Sequence, residues 1–398
     1  MIVGLMLFLA VLLLAGYAKL STVIVNRLLA RPLPKWVFAA IELPQVVLLP
    51  LYAVLLIQSL FQRGLWLRDR PWYDLTTFQG LLIAAGIIGF ALLIHSTWIF
   101  QCYRPPQCEL AHVSQLVDFR HASEAQTWQA IYVGRGPMRG VALLPGNQQF
   151  TLEVSTKTYA LPRLPPEWDG LSIVHLADTH FRGAVTRAYF EAVCEQAIAM
   201  QPDLFVFTGD LLDDERLLDW LPTTMGRLRG KIGQYFILGN HEWYLNSDRV
   251  RPELERLGWI DLSSRCLEVR RPNSMNSAPA LVLAGDETPW MGTHPNFSQT
   301  SNDGFRILLS HTPDNIQWAQ SQQVNLMLSG HTHGGQIQFP LLGPVYSPSR
   351  YGCRYASGVF WKAPTLLIVS RGISGREPIR YLCRPELTKV VLRTMSAQ

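Results

Sequence analysis

Five short polar clusters, far apart in the chain, carry residue types that bind metal ions and transfer protons. Five of the ten histidines lie in them, and each cluster follows a short apolar run. Three clusters begin with glycine, which lets the backbone turn sharply. The clusters are Asp178-Thr179-His180, Gly209-Asp210, Gly239-Asn240-His241-Glu242, Ser310-His311 and Gly330-His331-Thr332-His333. Their carboxylate, amide and imidazole groups together predict a mixed oxygen and nitrogen site.

The types of ligand atom narrow the identity of the metal but do not determine it. The clusters contain no thiolate, so they suit Mn²⁺, Fe or Zn²⁺. Seven candidate ligands are too many for one tetrahedral ion. Two divalent ions roughly 3.5–4 Å apart, sharing a carboxylate, would use all seven and would activate a hydroxide for in-line attack on phosphorus.

The apolar runs before the clusters are short and nearly continuous, which is typical of buried central strands. Helical patterns separate several of them: 187–200, 215–229 with a kink at Pro222, and 314–322 with Thr312 as N-cap and Pro313 at the first helical position. Alternating strands and helices predict an α/β domain with active residues at the carboxyl ends of its strands. The predicted strands are 171–176, 204–207, 234–238, 281–284, 305–309, 324–328 and 365–369.

The order DxH, GD, GNHE, H and GHTH resembles that of the calcineurin-like metallophosphoesterase superfamily over roughly residues 165–395. Gly334-Gly335-Gln336 and Ser370-Arg371-Gly372 make the chain more similar to the bacterial membrane-associated branch of YaeI and YkuE type. One cluster alone would be weak evidence, whereas all five in this order are specific. The resemblance implies a two-sheet α/β sandwich flanked by helices.

The resemblance also implies a role for each clustered residue, although any one of them alone could be an ordinary hydrogen-bonded residue at a strand end. His241 would stabilise developing charge or protonate the leaving oxygen, a task suited to imidazole near neutral pH. The implied ligands are Asp178, His180 and His333 for the first metal, Asn240, His311 and His331 for the second, and Asp210 as the bridge.

Other residues near the clusters have weaker signals. Arg182 and Arg371, each just past a strand end, could bind substrate phosphate or form surface ion pairs. His175, inside a strand, is expected to pack in the core, and Glu242 to orient a neighbouring histidine. Five residues on loops could line a groove for a lipid tail or simply pack their own loops: Trp243, Tyr244, Trp290, Met291 and Phe297.

The N-terminal part of the chain has a different composition. Only 16% of the 398 residues are charged, against about a quarter in an average soluble protein. The first 104 residues hold eight Lys or Arg and three Asp or Glu, and the remainder holds 27 of each sign. A balanced main domain argues against nucleic-acid binding. Three apolar stretches, about 2–18, 37–62 and 80–100, approach or exceed the roughly 20 residues that cross a bilayer.

These features predict a transmembrane helical module in residues 1–103, a β-rich connector in 104–165 with strands at 127–133 and 149–154, and a metallophosphoesterase domain in 166–398. Lys and Arg near the helix ends favour a cytoplasmic catalytic domain, and the resemblance implies that the protein lies in a bacterial inner or plasma membrane. If 2–18 lay on the membrane surface instead, two spans would leave that domain on the side of the N-terminus.

Six scattered cysteines without a metal-binding spacing are typical of a reducing compartment, although an exported domain could form one disulfide. The sequence as a whole predicts a membrane-anchored, binuclear phosphoesterase that hydrolyses a phosphodiester, pyrophosphate or phosphomonoester through a metal-bound hydroxide. The anchor favours a phospholipid or a nucleotide-linked lipid as substrate. Two alternatives remain: a phosphatase for soluble or protein substrates that is merely tethered, and a catalytically silent scaffold, against which the presence of Asp210 and His241 argues.

Overall fold

The computed structural model describes the chain in six stretches and divides it into two compact units. The helical unit consists of Met1–Tyr103 and Phe339–Arg354, and the sheet unit of Arg104–Gln338 and Tyr355–Gln398. Residues 65–75, which contain most of the predicted loop between the second and third apolar stretches, lie outside the described residues. The described stretches are 2–64, 76–121, 127–245, 247–271, 279–301 and 304–395.

Three long helices make up most of the helical unit. They are α1 (Ile2–Leu29), α2 (Lys35–Gly64) and α3 (Thr77–Gln101). By length and composition, α1 over Leu7–Leu29 and α3 could each cross a membrane, whereas α2 contains two prolines and a shorter apolar stretch, Val47–Ser59. Among the residues that the structure describes, two helices are thus candidate spans where the sequence predicted three, and the third stays a prediction.

The helices of this unit pack closely through small residues. The backbones of α1 and α3 approach so closely that a Cβ on Gly16 would lie 1.9 Å from the carbonyl oxygen of Gly86, and a Cβ on Gly89 would lie 1.8 Å from that of Gly16. Tyr17 of α1 stacks on Tyr52 of α2 with ring centroids 3.9 Å apart. Small residues at helix contacts are typical of membrane helices, where close backbone approach replaces the hydrophobic effect as the main source of association.

The sheet unit is built on two sheets. The first has the strand order β1-β2-β15-β3-β4-β5-β6 and the second β13-β14-β10-β9-β8-β7. Strands β3 to β6 run parallel, as do β8, β9, β10 and β14. The first sheet contains β1 (Glu109–Asp118), β2 (Thr151–Leu161), β3 (Leu171–Leu176), β4 (Leu204–Thr208), β5 (Gly233–Ile237), β6 (Ile260–Asp261) and β15 (Glu386–Thr394).

The second sheet contains β7 (Cys266–Val269), β8 (Leu281–Asp286), β9 (Phe305–Ser310), β10 (Leu326–Ser329), β13 (Gly358–Lys362) and β14 (Thr365–Val369). The short strands β11 (Gln338–Phe339) and β12 (Gly343–Pro344) pair with each other. The remaining helices are α4 (Trp128–Tyr132), α5 (Arg139–Ala142), α6 (Arg187–Ala199), α7 (Asn240–Trp243), α8 (Ser247–Arg256) and α9 (Ile316–Ser321).

Aliphatic side chains from the facing sides of the two sheets form one core. Ile173, Val206 and Ile237 of the first sheet pack in one cluster with Leu283 and Ile307 of the second, and all are fully buried. Each such side chain contributes about 1.5–3 kcal/mol of hydrophobic stabilisation. The outer face of the first sheet is covered in part by α6. The two-sheet α/β sandwich expected from the resemblance is therefore confirmed.

Two local predictions were wrong. Residues 127–133, predicted as a strand because of their β-branched and aromatic residues, contain α4, whose Tyr132 packs edge-on against Tyr189 of α6 with centroids 6.4 Å apart. Residues 215–229, predicted as one helix, form two 3₁₀ segments that break at Thr224, where φ is −110° and ψ is −94°. In both places tertiary packing overrides local propensity.

The predicted connector contributes to the sandwich. Its two long strands, β1 and β2, join the edge of the first sheet, with β2 parallel to β15. The strand expected at 149–154 is thus the start of β2 (Thr151–Leu161). Because β15 comes from the end of the chain, this edge of the sheet ties residues 104–165 to the last strand of the fold.

Candidate metal centre

Two sheets present the polar clusters at the same edge. Asp178 and His180 follow β3, Asp210 follows β4, and Asn240 opens the helix after β5. From the second sheet, His311 comes directly after β9, and His331 and His333 follow β10. Because parallel strands place their carboxyl ends at one edge, all seven predicted ligands are brought together there.

Five of these residues have a left-handed backbone. Values of φ between +46° and +70° are uncommon for non-glycine residues. Each such residue carries a conformational cost of roughly 1–3 kcal/mol, and residues of this kind concentrate at functional sites, where the surrounding structure holds them. The five are Asp178 (φ 54°), His180 (46°), Asp210 (57°), His331 (70°) and His333 (52°).

Glycines allow the clusters to approach one another. Gly209 has φ +95°, and a Cβ there would lie 2.8 Å from Nδ1 of His311. A Cβ on Gly330 would lie 2.5 Å from Oδ2 of Asp178. Both contacts are closer than real Cβ atoms tolerate, so the glycines that begin these clusters are required by the convergence of the site as well as by the turn.

The first group of ligand atoms comes from Asp178, His180, Asp210 and His333, whose donor atoms lie within 4.8 Å of one another. Nε2 of His180 is 3.2 Å from Nε2 of His333 and 3.6 Å from Oδ2 of Asp210. Oδ1 of Asp178 lies 3.9 Å from Nε2 of His333. These are the residues that the sequence analysis assigned to the first metal and to the bridge.

The second group comes from Asp210, His311 and His331. Nε2 of His311 lies 3.3 Å from Oδ2 of Asp210, 3.1 Å from Nδ1 of His331 and 2.9 Å from Oδ1 of Asn240. Asn240 therefore joins this group. Asp210 belongs to both groups, which is the position that the resemblance gave to the bridging residue.

The donor set fits divalent cations. Pairs of imidazole nitrogens face each other and carboxylate oxygens at 3.1–3.9 Å, an arrangement that a shared cation satisfies better than protons do. Oδ2 of Asp178 is buried without a hydrogen-bond partner among the described residues. A buried carboxylate oxygen without a partner is costly, and a coordinated ion would remove that cost.

Hydrogen bonds to the opposite ring nitrogens orient three of the histidines. Nδ1 of His311 donates to the carbonyl oxygen of Thr208 at 2.7 Å, and Nδ1 of His333 to that of Ser374 at 3.2 Å. Nδ1 of His180 lies 3.3 Å from Oδ1 of Asp213. Each bond directs the lone pair of Nε2 into the site, as is usual for metal-binding histidines.

Asp210 dominates the electrostatics of the site. Burial alone would raise its pKa, but the imidazoles of His311 and His241 hold the pKa of Asp210 well below its usual value. Burial would lower the pKa of His311, yet the carboxylate of Asp210 outweighs it and raises that pKa to about 9. Burial raises the pKa of Asp178 to about 6. The carboxylate of Asp210 is therefore ionised near neutral pH and can attract a cation.

His241 lies at the open side of the site, with 24% of its side chain exposed. Its Nε2 is 3.9 Å from Oδ2 of Asp210, and its Nδ1 hydrogen-bonds to Oδ1 of Asp213. Burial would lower the pKa of His241, but these two carboxylates raise it to about 9. With this raised pKa, the ring holds its proton near neutral pH.

Asp213 was missed by the sequence analysis. Its Oδ1 contacts both His180, a candidate ligand, and His241, the candidate acid. Burial would raise the pKa of Asp213, but the two histidines hold it far below its usual range. The available signal was its position three residues after Asp210 in the run Gly209–Asp213, and its neighbour Asp214 made the choice ambiguous.

Glu242 has a different role from the one predicted. Its buried carboxylate accepts hydrogen bonds from four backbone N–H groups instead of orienting a histidine ring: those of Asp210, Leu211, Leu212 and Gly239, at 2.7–3.1 Å. Burial, followed by the charge of Asp210, raises the pKa of Glu242 to about 7. Glu242 therefore fixes the turns after β4 and β5, which carry Asp210 and Asn240.

The two arginines suggested for substrate binding have protein partners. The guanidinium of Arg371 is 3.0 Å from Glu153 and 3.2 Å from Glu386 and only 18% exposed. That of Arg182 is 39% exposed, donates to the carbonyl oxygen of Arg376 at 3.0 Å and lies 3.9 Å from Glu377. Arg371 is thus held in a buried ion-pair network, and of the two Arg182 is the more accessible.

The loop aromatics pack around the site. Trp290 is buried, its ring centroid 4.8 Å from that of His331 and 5.7 Å from that of His311. Phe297 is also buried and packs against Trp318. The rings of Trp243 and Tyr244 pack against each other, with centroids 4.9 Å apart. Trp290 therefore covers the second group of ligands, and loop packing accounts for Phe297.

His175 packs in the interior, as expected. The residue is 1% exposed, and its Nε2 lies 2.9 Å from the hydroxyl of Thr208. Burial lowers the pKa of His175 to about 4. The ring is neutral at physiological pH and takes no part in the site.

Comparison with known proteins agrees with this architecture. Residues 171–335 match the family described as calcineurin-like phosphoesterase. The metallophosphoesterase YkuE of Bacillus subtilis is 31% identical over 251 residues, covering 61% of this chain and 86% of YkuE. A bovine transmembrane protein with a metallophosphoesterase domain is 30% identical over 265 residues, 60% of this chain and 57% of the bovine protein.

A further relative carries a named activity. The UDP-2,3-diacylglucosamine pyrophosphatase LpxG of Chlamydia trachomatis is 25% identical over 299 residues, 59% of this chain and 88% of LpxG. With a two-sheet fold, a cluster of histidines and aspartates at its strand ends, and relatives of this kind, the chain is a metal-dependent phosphoester hydrolase by class. It belongs to the calcineurin-like metallophosphoesterases.

Proposed function

We propose that this chain is a membrane-anchored phosphoesterase that uses two divalent ions and acts on a lipid-linked phosphodiester or pyrophosphate. The observation that carries the binuclear assignment is the position of Asp210, whose Oδ2 lies 3.6 Å from His180 of the first ligand group and 3.3 Å from His311 of the second. One carboxylate shared by two groups of ligands is the arrangement that a two-ion site requires.

The two groups would each hold one ion. Asp178, His180 and His333 would bind the first and Asn240, His311 and His331 the second, with Asp210 between them. Divalent ions bound there supply Lewis acidity toward the phosphoryl oxygens and the attacking water. Mn²⁺, Fe²⁺ and Zn²⁺ all accept this mixture of imidazole, carboxylate and amide donors.

The protein's own groups provide the proton transfer. His241 is protonated near neutral pH and partly exposed, so it can donate a proton to the leaving oxygen of the substrate. Asp213 holds the Nδ1 side of that ring and stabilises its positive charge. Arg182, with its exposed guanidinium, is the proposed contact for a substrate phosphate.

The membrane location supports a lipid-linked substrate. Much of the apolar surface of α1 and α3 is exposed, since only 17% and 11% of their most apolar windows are buried. One relative is a transmembrane protein by name, and LpxG acts, by name, on a nucleotide-linked diacylated sugar. Anchoring an enzyme at a bilayer raises the local concentration of such substrates.

The basic residues near α1 support a cytoplasmic sheet unit. Arg27, Arg31 and Lys35 lie at the loop between α1 and α2, and cytoplasmic loops are enriched in Lys and Arg. We expect green fluorescent protein fused to the C-terminus to fluoresce in a bacterial host. Alkaline phosphatase activity from the same fusion position would place the sheet unit outside instead.

The function is tested on the purified full-length chain in mixed micelles. After reconstitution with Mn²⁺, Fe²⁺ or Zn²⁺, turnover of lipid pyrophosphates and lipid phosphodiesters is compared with that of nitrophenyl phosphate esters, with Asp210→Asn as the matched inactive control. We expect lipid substrates to be preferred. Faster turnover of the soluble esters would favour a tethered phosphatase, and absence of both bound metal and turnover would favour a silent scaffold.

A further inference from the structure

The helical unit contains a second piece of chain, the segment Phe339–Arg354. This segment begins six residues after His333 in the sequence. It has no acidic residue and two arginines, Arg350 and Arg354. No motif in the sequence analysis assigned it a role.

One end of α1 holds this segment. Asn26 is 1% exposed and lies one helical turn before the end of α1 at Leu29. Its Oδ1 accepts a hydrogen bond from the backbone N–H of Ser347 at 3.1 Å, and its Nδ2 donates to the carbonyl oxygen of Val345 at 3.5 Å. A buried amide with a donor and an acceptor both used fixes the segment to this helix end.

The carboxyl end of α3 holds the same segment. The side chain of Gln101, the last residue of α3, donates to the carbonyl oxygen of Leu341 at 2.5 Å. Gly343 has φ +70° and lies so close to Phe100 that a Cβ would come within 2.6 Å of the ring. The segment therefore lies across the carboxyl ends of both helices that are long and apolar enough to cross a membrane.

This placement determines the surroundings of the segment. Helices of 23 and 25 residues are long enough to span the hydrocarbon core of a bilayer, which needs roughly 20 residues. Their ends then lie at the headgroup level, and Asn26 is only about 4.5 Å below the end of α1 at 1.5 Å rise per residue. The segment Phe339–Arg354, which is bound to the carboxyl ends of both helices, must lie at the same depth.

The exposed side chains of the segment suit the headgroup region. Leu341 is 76% exposed, Phe339 47% and Tyr346 40%. Aromatic residues are enriched at this depth of a bilayer. On the same end of α1, Arg27 and Arg31 are exposed, and basic residues are attracted to anionic lipid headgroups. Exposed apolar side chains beside basic residues are suited to contact with an anionic lipid surface.

We propose that Phe339–Arg354 is a lipid-contact segment, with Phe339, Leu341 and Tyr346 inserted among the headgroups of the leaflet at the carboxyl ends of α1 and α3. The proposal rests on the membrane insertion of α1 and α3 and adds to it a binding surface on the chain that continues from the metal ligands His331 and His333. The partner it commits to is a phospholipid bilayer.

The test uses a photoreactive side chain in the full-length protein. Benzoylphenylalanine replaces Leu341, and the protein is reconstituted into vesicles of phosphatidylethanolamine and phosphatidylglycerol. Two control positions carry the same probe: Ile87 on α3, 57% exposed, and Ile260 in the sheet unit, 40% exposed. After illumination, mass spectrometry counts lipid adducts. We expect the Leu341 probe to give at least fivefold more adducts than the Ile260 probe.

The controls separate the possible outcomes. Adducts at positions 87 and 341 but not at 260 support the proposal. Adducts at position 87 with only the Ile260 level at position 341 overturn it while leaving the membrane anchor intact. If position 87 also forms no adducts, α3 is not in lipid, and both this proposal and the anchored function fail. None of these readouts depends on turnover, so an inactive substrate assay cannot be mistaken for a failure of lipid contact.

Discussion

The two sheets of the sandwich supply different halves of the metal centre. The first sheet provides all the oxygen donors, Asp178, Asp210 and Asn240, together with a single imidazole, His180. The second provides only imidazoles, those of His311, His331 and His333. Neither sheet alone carries all the residues of either group of candidate ligands, so the groups assemble only when the core between the sheets is packed.

The two sheets differ in what their side chains contribute: one supplies negative charge, and the other determines which metals are preferred. The two carboxylates of the first sheet attract any divalent cation, and hard ions such as Mg²⁺ and Ca²⁺ prefer oxygen ligands. The imidazoles of the second sheet favour transition metals. Removing a carboxylate from one sheet should therefore weaken binding of all cations, whereas removing an imidazole from the other should change which metals bind.

The largest effect is expected from Asp210→Ala. Because the carboxylate is shared, the variant should lose both ions and at least a thousandfold in turnover. His331→Ala, from the second sheet, is the matched comparison and should lose one ion while keeping the first. Metal content by mass spectrometry and turnover of nitrophenyl esters measure this. Two ions per chain in Asp210→Ala would refute a bridging role.

His241→Ala should keep both ions and lose roughly a hundredfold or more in turnover of substrates with poor leaving groups, the usual contribution of a general acid. Esters with good leaving groups, such as nitrophenyl phosphates, should be hydrolysed almost normally. Equal losses for both kinds of substrate would remove His241 from the acid role and leave it a structural one.

Asp213→Asn should change the pH dependence of activity, because Asp213 hydrogen-bonds to the ring of His241. As the proposed acid, His241 must be protonated to act, so activity should fall as pH rises through its pKa of about 9. Asp213 helps to raise that pKa, and without its charge the alkaline limb of the pH–rate profile should move to lower pH. The control is His241→Ala, which should remove the limb. An unshifted limb in Asp213→Asn would show that Asp213 does not set the protonation of His241.

Withdrawal of metal should lower thermal stability, because the proposed ions would join residues of both sheets. A ligand at a hundredfold excess over its Kd stabilises by about 2.7 kcal/mol, and each kcal/mol corresponds to roughly 2–4 °C for a domain of this size. Scanning fluorimetry in detergent, with and without a chelator, should show a fall in Tm of about 5–10 °C. Asp210→Ala should show no such fall, and an equal fall there would locate the stabilising ion elsewhere.

The smallest effect is expected at His175, outside the site. Its pKa in the folded protein, about 4, lies below the usual value of 6.5, so its stabilising contribution is complete above pH 6.5 and is lost as pH falls toward 4. At pH 5 the loss is about 2 kcal/mol. Denaturant unfolding of His175→Leu between pH 7 and pH 5 should therefore lose less stability than the unaltered chain does. Parallel losses would contradict a buried neutral histidine.

The strand ends and the order of the clusters could be predicted from the sequence, because each candidate ligand follows a buried apolar run. Side chains whose direction depends on distant contacts were not. Asp213 and Asp214 are chemically identical neighbours, yet Asp213 contacts two histidines while Asp214 caps the backbone N–H of Arg216. No local pattern distinguishes them.

Arg371 shows the same limit over a longer range. Its position after β14 correctly suggested proximity to the strand-end edge. Its partners Glu153 and Glu386 are adjacent only because β2 and β15 pair in parallel, with these two residues directly opposite each other. A pairing between residues 233 positions apart in the chain leaves no trace in residue spacing, so the ion-pair network could not be foreseen.

The left-handed backbone at five ligands has a consequence for protein engineering. Glycine adopts this conformation without penalty, so glycine at Asp178, His180 or His333 would relieve conformational cost while deleting a donor. Selection for thermal stability of the metal-free protein alone would then favour inactive variants, in keeping with the general conflict between stability and activity. In this chain, thermal stability measured without metal does not indicate catalytic activity. A screen for more stable variants must therefore also measure hydrolysis.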